Sequence, residues 1–285
     1  MAEHMIPKTL LEALELLDQS PYTIIAGGTD VLVKARRWAG TKRTFAHPAM
    51  FLREIESLHA IQSDSHILEI GACVSLSTIA KHPLTPALLK ETITEIASPA
   101  IRNMATLGGN IANASPAADG VLALCALQAK VFIQSAQKTR LIAVEEIALG
   151  PGKTHLAANE LITAIHIPLL VDDFHAFYKV GTRRADAISK VALAGFAQFH
   201  HHKVSEWRLY FGAVGKTILW DHELDFSMLG KTKKMIYDEM EDIISKYAQV
   251  PTPIDDQRST KQYRQLVARN LVKKFIRECL GEVDG

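Results

Sequence analysis

The sequence predicts an α+β protein in two parts, and three observations carry that expectation. Through about residue 170, short strand-like runs alternate with helical ones and with two glycine-rich stretches. At residues 168–173 the composition turns to proline and acid, which places a domain boundary there: a first domain of residues 1–170, itself divided near residue 54, and a smaller second one of 171–285. Beyond the boundary the runs 176–180, 190–199 and 204–213 suggest an antiparallel sheet. Helices over 235–247 and 259–279 would cover one face of it, because Leu266, Asn270, Leu271 and Phe275 recur at helical spacing.

Taken in order, Thr9-Leu10-Leu11-Glu12 has the spacing of a capping box, and Leu10, Leu14 and Leu17 recur on one helical face until Pro21 breaks the pattern. A buried strand at 22–25 runs into Gly27-Gly28 and then a helix. Gly40-Thr41-Lys42-Arg43 reads as an exposed turn before a short strand at 44–47. Residues 55–74 read as a hairpin closed around Ser63-Asp64-Ser65. Helices follow at 76–81 and 86–97, the second with Pro86 in its first turn, and the chain turns at Ser98-Pro99 into the second glycine-rich stretch. A helix over 120–129, paired strands at 130–134 and 140–144, the Gly150-Pro151-Gly152 loop and a strand at 161–167 complete the first domain. His200-His201-His202 falls between two strands and reads as a hairpin tip.

A chain of 285 residues, 48% of them hydrophobic, is long enough for two domains with substantial cores. Its formal net charge of +1 offers no basic field to hold nucleic acid and no acidic tail. Cys73, Cys125 and Cys279 are far apart and odd in number, which supports neither a disulfide framework nor a Cys-x-x-Cys metal site. The N-terminus lacks the basic-then-apolar pattern of a signal peptide, and no apolar run approaches the ~18 residues that span a bilayer. The expectation is a cytoplasmic protein with no membrane span, no nucleic-acid partner and no metal or iron-sulfur cluster of its own.

The chemistry concentrates in the glycine-rich stretches. Thr106-Leu107-Gly108-Gly109-Asn110-Ile111-Ala112-Asn113-Ala114-Ser115-Pro116-Ala117-Ala118-Asp119 joins two glycines, which permit a tight turn with exposed amides, to short polar side chains and then to a helix. Consecutive amides facing a helix N-terminus favour a phosphate or pyrophosphate. No lysine follows the glycines, so this is not a P-loop. Ala26-Gly27-Gly28-Thr29-Asp30 has the same character, and the two phosphates of a dinucleotide need donors from more than one direction.

These two stretches closely resemble the FAD-binding medium subunit of the xanthine dehydrogenase and carbon monoxide dehydrogenase group of molybdenum hydroxylases. Further matches are Gly150-Pro151-Gly152-Lys153-Thr154, then Lys179-Val180-Gly181-Thr182-Arg183-Arg184 leading into Ala187-Ile188-Ser189-Lys190-Val191, then Gln262-Tyr263-Arg264. They run in the family's order over nearly the whole chain. The resemblance implies a two-part FAD-binding domain of the vanillyl-alcohol-oxidase (PCMH) type, followed by a smaller α+β domain with an antiparallel sheet and helices. It implies non-covalent FAD held at Ile25, Ala26, Gly27, Gly28, Thr29 and Asp30, and at Thr106, Gly109, Asn110, Ala112 and Ser115. Asp119 would accept from ribityl or ribose hydroxyls or from amides, and Leu161 and Ile162 would lie against the flavin ring. Lys179 would keep a cation near the ring edge, favouring the reduced anion. Arg183, Arg184 and Asp186 could border the approach of a nicotinamide.

By the same resemblance the chain is an electron-transfer subunit with no catalytic acid, base or nucleophile of its own. A large subunit would carry a molybdenum-pterin cofactor, a small one would carry iron-sulfur clusters, and the assembly would be a dimer of heterotrimers. Electrons would pass through the clusters to FAD and on to NAD+ or another acceptor. The stretch at 150–154 resembles xanthine dehydrogenase subunits most, which implies purine oxidation. Two positions depart from the family: Ala100 stands where glutamine is usual and Met104 where arginine is usual. The alternatives are a stand-alone flavin oxidoreductase of the vanillyl-alcohol-oxidase type, whose members bring a much longer substrate domain, and a scaffolding subunit without flavin.

Overall fold

The computed structural model describes residues 4–36, 42 and 44–281; of the turn expected at Gly40-Thr41-Lys42-Arg43, all but Lys42 lies outside them. Along the chain come His4–Met5 (β1), Leu10–Gln19 (α1), Thr23–Ile25 (β2), Val31–Lys34 (α2), Ala49–Phe51 (β3), Ile61–Ser63 (β4) and Ile67–Gly71 (β5). The helices Leu76–Lys81 (α3), Ala87–Thr94 (α4), Pro99–Met104 (α5), Leu107–Ala112 (α6) and Asp119–Ala126 (α7) follow. Next are Lys130–Gln134 (β6), Thr139–Ala143 (β7), Val144–Ile147 (α8), Ala148–Gly150 (β8), Lys153–Thr154 (β9) and Leu161–Pro168 (β10). The last are Phe174–Val180 (β11), Val191–His200 (β12), Lys203–Gly212 (β13), His222–Ser227 (α9), Lys233–Asp238 (α10), Met240–Tyr247 (α11) and Lys261–Leu280 (α12). By packing, Met1–Thr85, Ala97–Ser115 and Gln128–Leu169 form one compact unit, and Pro86–Ile96, Pro116–Leu127 and Leu170–Gly285 the other.

In the first unit β1, β3 and β2 make a parallel sheet in that order, and β4-β5-β10-β6-β7 an antiparallel one. Helix α1 forms as its capping box requires: Thr9 Oγ1 accepts from the Glu12 amide at 3.2 Å, and Ala13, Leu14 and Leu17 pack with Met50, Leu52, Ile55 and Leu58. The strand expected at 44–47 is displaced to Ala49–Phe51. Pro48 has no amide to give a ladder, but its carbonyl accepts from Thr23 at 2.9 Å, so pairing starts there and buries Ala49 and Met50. The hairpin at 61–71 closes on Asp64, whose Oδ1 accepts from the amides of His66 and Ile67, each at 2.7 Å. Its expected start is instead a 3-10 turn, Glu56–His59.

The second unit holds the predicted antiparallel sheet, β11-β12-β13. His201 and His202, at φ 49° and 63°, form the tight turn between β12 and β13, with the backbone twist that suits a two-residue hairpin. Helices α4 and α7 pack against each other, α4 also against β11 and α7 against β12 and β13. Helix α12 lies so close to β12 that a Cβ added at Gly195 would be 2.2 Å from the Phe275 ring. The buried stripe of α12 is Arg264, Ala268, Leu271, Val272, Phe275, Ile276 and Cys279, while Leu266 and Asn270 are exposed. Of the residues expected on that face Leu271 and Phe275 are buried, and the first part of the stripe departs from the expectation because it begins with an arginine. Arg264 can be buried because Nη1 donates to the Ala213 carbonyl at 2.9 Å and Nη2 to Asp256 Oδ1 at 2.6 Å. The run 235–247 breaks at Glu239 into α10 and α11, and α9, capped by Asp221, was not expected.

Among the described residues no helix is long and apolar enough to cross a membrane, and no group of three or more His, Cys, Asp or Glu could hold a metal ion. All three cysteines are buried, and burial pushes the thiols of Cys73 and Cys279 up to about 12.

Candidate functional site

The first glycine stretch leaves the carboxyl end of β2, where open parallel sheets place their ligands. Ile25, 2% exposed, anchors the strand, and Ala26 packs on the core cluster around α1. Glycine is dictated at 27 by packing, since a Cβ there would stand 2.0 Å from the Met104 carbonyl oxygen, and at 28 by conformation, φ being +71°. Among the described residues none accepts a hydrogen bond from the amides of Gly27, Gly28, Thr29 or Asp30. Four successive main-chain donors are therefore free to meet an anion. Asp30 heads α2 without capping it, and its carboxylate lies 3.7 Å from Lys34 Nζ, which also donates to Asn113 Oδ1 at the end of α6.

The second stretch is built differently from what the sequence suggested. Its glycines do not make a turn; they sit in the first turn of helix α6. Thr106 caps the helix, accepting from the Gly109 amide at 3.1 Å, and the Gly108 amide donates to the Ala72 carbonyl at 3.2 Å. Gly108 is required by close approach, since a Cβ would be 2.6 Å from that of Ala72. At Gly109 an added Cβ would meet Thr106 Oγ1 alone, at 2.9 Å. Asn110 Oδ1 is a buried acceptor without a partner among the described residues. Ala112 is exposed, and Ala114, at φ 46°, receives the Gly152 amide on its carbonyl at 3.0 Å, so the β8–β9 hairpin holds the end of this stretch. Leu161 and Ile162 are 3% and 6% exposed at the start of β10, Leu161 within the core cluster that contains α1.

In the second unit Asp119, in the first turn of α7, and Lys179, on β11, form a buried ion pair with Nζ 2.9 Å from Oδ2. Lys179 also donates to the Glu95 carbonyl at the end of α4, 2.7 Å away, and the Ser189 hydroxyl donates to Asp119 Oδ1 at 2.7 Å. The cation thus stands at one helix's C-terminus and the anion at another's N-terminus, each where the helix dipole favours it. Burial raises the Asp119 pKa, and Lys179 and Ser189 pull it back. An ammonium has three donors, and among the described residues two of those on Lys179 are used. Arg183 folds its own loop, Nε donating at 3.0 Å to the carbonyls of Ala185 and Asp186, and Arg184 is exposed.

Residues 1–170 match the family model described as the FAD binding domain in molybdopterin dehydrogenase. The chain belongs to this family. Residues 176–279 match the CO dehydrogenase flavoprotein C-terminal domain. Similar relatives include the putative xanthine dehydrogenase FAD-binding subunit of Escherichia coli (strain K12), 28% identical with 97% of this chain and 95% of the relative covered. The nicotinate dehydrogenase FAD-subunit of Eubacterium barkeri is also 28% identical, with 99% and 97% covered. The carbon monoxide dehydrogenase of Hydrogenophaga pseudoflava superposes with a TM-score of 0.87 at 24% identity, over 99% of this chain and 98% of that one. The expected α+β fold, a two-part FAD-binding domain with a smaller C-terminal α+β domain, is therefore the fold of this family.

Within the first unit the structure brings the surroundings of the two glycine stretches together: Gly27 abuts Met104 and Ala105, just before the second stretch, and Lys34, just past the first, reaches Asn113. Within the second it joins Asp119 to Lys179. Sequence reasoning gave Ser189 and Lys34 no role. Ser189 lay inside a quoted motif, and Lys34 follows Asp30 at the i,i+4 spacing that pairs charges on a helix.

Proposed function

We propose that this chain is the FAD-carrying, electron-transferring subunit of a cytoplasmic molybdenum hydroxylase, working with a molybdenum-pterin large subunit and an iron-sulfur small subunit in a dimer of heterotrimers. The observation that carries this reading is the strip of open amides at residues 27–30. Hydrogen bonds to charged groups contribute ~1.5–3 kcal/mol each, so four such donors can hold a pyrophosphate without a dedicated cation. Asn110 Oδ1 can accept from a cofactor N–H or O–H, and Lys179 keeps a donor and a charge for the ring. The residues present fit FAD, with Thr106, Gly109 and Ser115 shaping the second stretch and Leu161 and Ile162 contributing apolar surface. Bound FAD supplies the exchange between single electrons arriving from the clusters and a hydride delivered to NAD+. The chain's own residues bind, orient and electrostatically bias that group.

In this reading NAD+ is the acceptor and a purine the substrate of the complex, supported by the xanthine dehydrogenase relative. Equal identity to the nicotinate relative makes nicotinate the second candidate. The purified chain should be yellow with one non-covalent FAD and pass electrons from NADH to a dye, yet leave xanthine untouched without its partners. A correctly folded chain that takes up less than about a tenth of an equivalent, although free amides of this kind bind anions, would overturn the cofactor assignment. FAD uptake with indifference to NADH would remove NAD+ alone.

A further inference from the structure

Ser189 has no ligand role in this reading, yet it is 2% exposed and donates a hydrogen bond to a carboxylate that is itself buried. Building on the FAD assignment, we propose that Ser189 is a positioning residue for the cofactor-facing ammonium of Lys179. By holding Asp119 Oδ1, it locks the carboxylate in the orientation that presents Oδ2 to Nζ.

A carboxylate turns easily about its last side-chain bond, and a lysine has four rotatable bonds. One ion pair between two such groups fixes neither. Here each end has a second, rigid tie. Asp119 is held by Ser189, two residues before β12, and Lys179 by the Glu95 main-chain carbonyl that ends α4. With two of its tetrahedral donors directed at fixed acceptors, the third has a fixed direction as well. Removing the Ser189 hydroxyl changes no charge. It leaves Asp119 Oδ1 buried without a donor, lets the carboxylate swing toward another, and leaves Lys179 with one rigid partner in place of two.

The test uses the full-length chain in two states. In the cofactor-free chain, 15N NMR follows hydrogen exchange at the Lys179 ammonium. Ser189→Ala should accelerate it at least about tenfold, the consequence of losing one hydrogen bond to a charged group. In the FAD-loaded chain the same substitution should shift the flavin midpoint potential, and this shift should vanish when it is repeated in a Lys179→Met background. Ser189→Cys, nearly isosteric with a weaker donor, is the companion variant and should give an intermediate exchange rate in a chain that keeps the wild-type packing. Unchanged ammonium exchange in a folded variant overturns the proposal. So does a potential shift of equal size with and without Lys179, because the hydroxyl would then act through some other group. Failure of the wild-type chain to take up FAD overturns the underlying cofactor reading, and it is told apart because the exchange measurement needs no flavin.

Discussion

The two units present their polar groups by opposite means. In the first the groups left open are main-chain amides, at residues 27–30, and what keeps them open is the absence of side chains: Gly27 has no room for one and Gly28 has a backbone conformation that disfavours one. In the second the polar groups are side chains, Asp119, Lys179 and Ser189, all nearly sealed from solvent, with Asp119 bonded to both of the others. A site made of backbone is sensitive to shape and indifferent to pH. One made of a buried ion pair tolerates changes of shape at its rim but depends on both charges being present.

The largest expected effect tests the ion pair. Lys179→Met leaves a buried carboxylate without its cation, which should cost about 3–5 kcal/mol at neutral pH in denaturant unfolding. Burial already raises the Asp119 pKa and Lys179 pulls against it, so in the variant the folded-state value rises further above its unfolded value. The penalty should shrink as pH falls and Asp119 takes up a proton, and be fully present above the raised pKa. The flavin should likewise become harder to reduce mainly at the higher pH, since at lower pH a neutral pair is replaced by a neutral acid. A pH-independent loss in both measurements would show that Asp119 and Lys179 do not act as a pair.

Next comes Gly27→Ala, which puts a methyl group 2.0 Å from a main-chain oxygen. Stability should fall by roughly 3 kcal/mol, the upper end for overpacking, with FAD uptake lost at every pH. Gly28→Ala should cost about 1–2 kcal/mol for its left-handed backbone, because the Leu32 side chain it meets can move aside. Its FAD affinity, measured by fluorescence titration, should fall by more than its stability does. The smallest effect is expected at Gly109→Ala, where helix propensity offsets the crowding of the Thr106 cap to within about 1 kcal/mol. If that variant lost FAD as completely as Gly28→Ala, the second stretch would hold phosphate through its amides after all, and the contrast between the two glycine pairs would fall.

Those two pairs also mark how far the sequence could be read. Both were legible as special because adjacent glycines beside short polar residues are hard to explain as core or as ordinary helix. Their reasons were not. Gly28 supplies a positive φ, as a turn would require, whereas Gly108 serves close contact with Ala72, a residue 36 positions upstream by numbering. Ser98-Pro99 signals both a turn and a capped helix start, and the packing of the residues that follow decides for helix α5. Periodicity, which weighs apolar residues, finds Leu271 and Phe275 of the α12 stripe but not its first buried member, Arg264, whose burial depends on a carbonyl at residue 213 and a carboxylate at 256.

The sequence by itself determined the alternation of short strands and helices, the antiparallel sheet of the second unit, the two glycine stretches and, through their order along the chain, the family. These are local patterns of one or two turns' length, and local patterns survive without neighbours. Tertiary structure decided which amides stay open, which glycine answers to packing and which to φ, that Lys179 is spoken for by Asp119 and Glu95, and that Ser189 belongs with them. Most of these join residues from separate elements, where a contact is won or lost over a few tenths of an ångström that no one-dimensional spacing records.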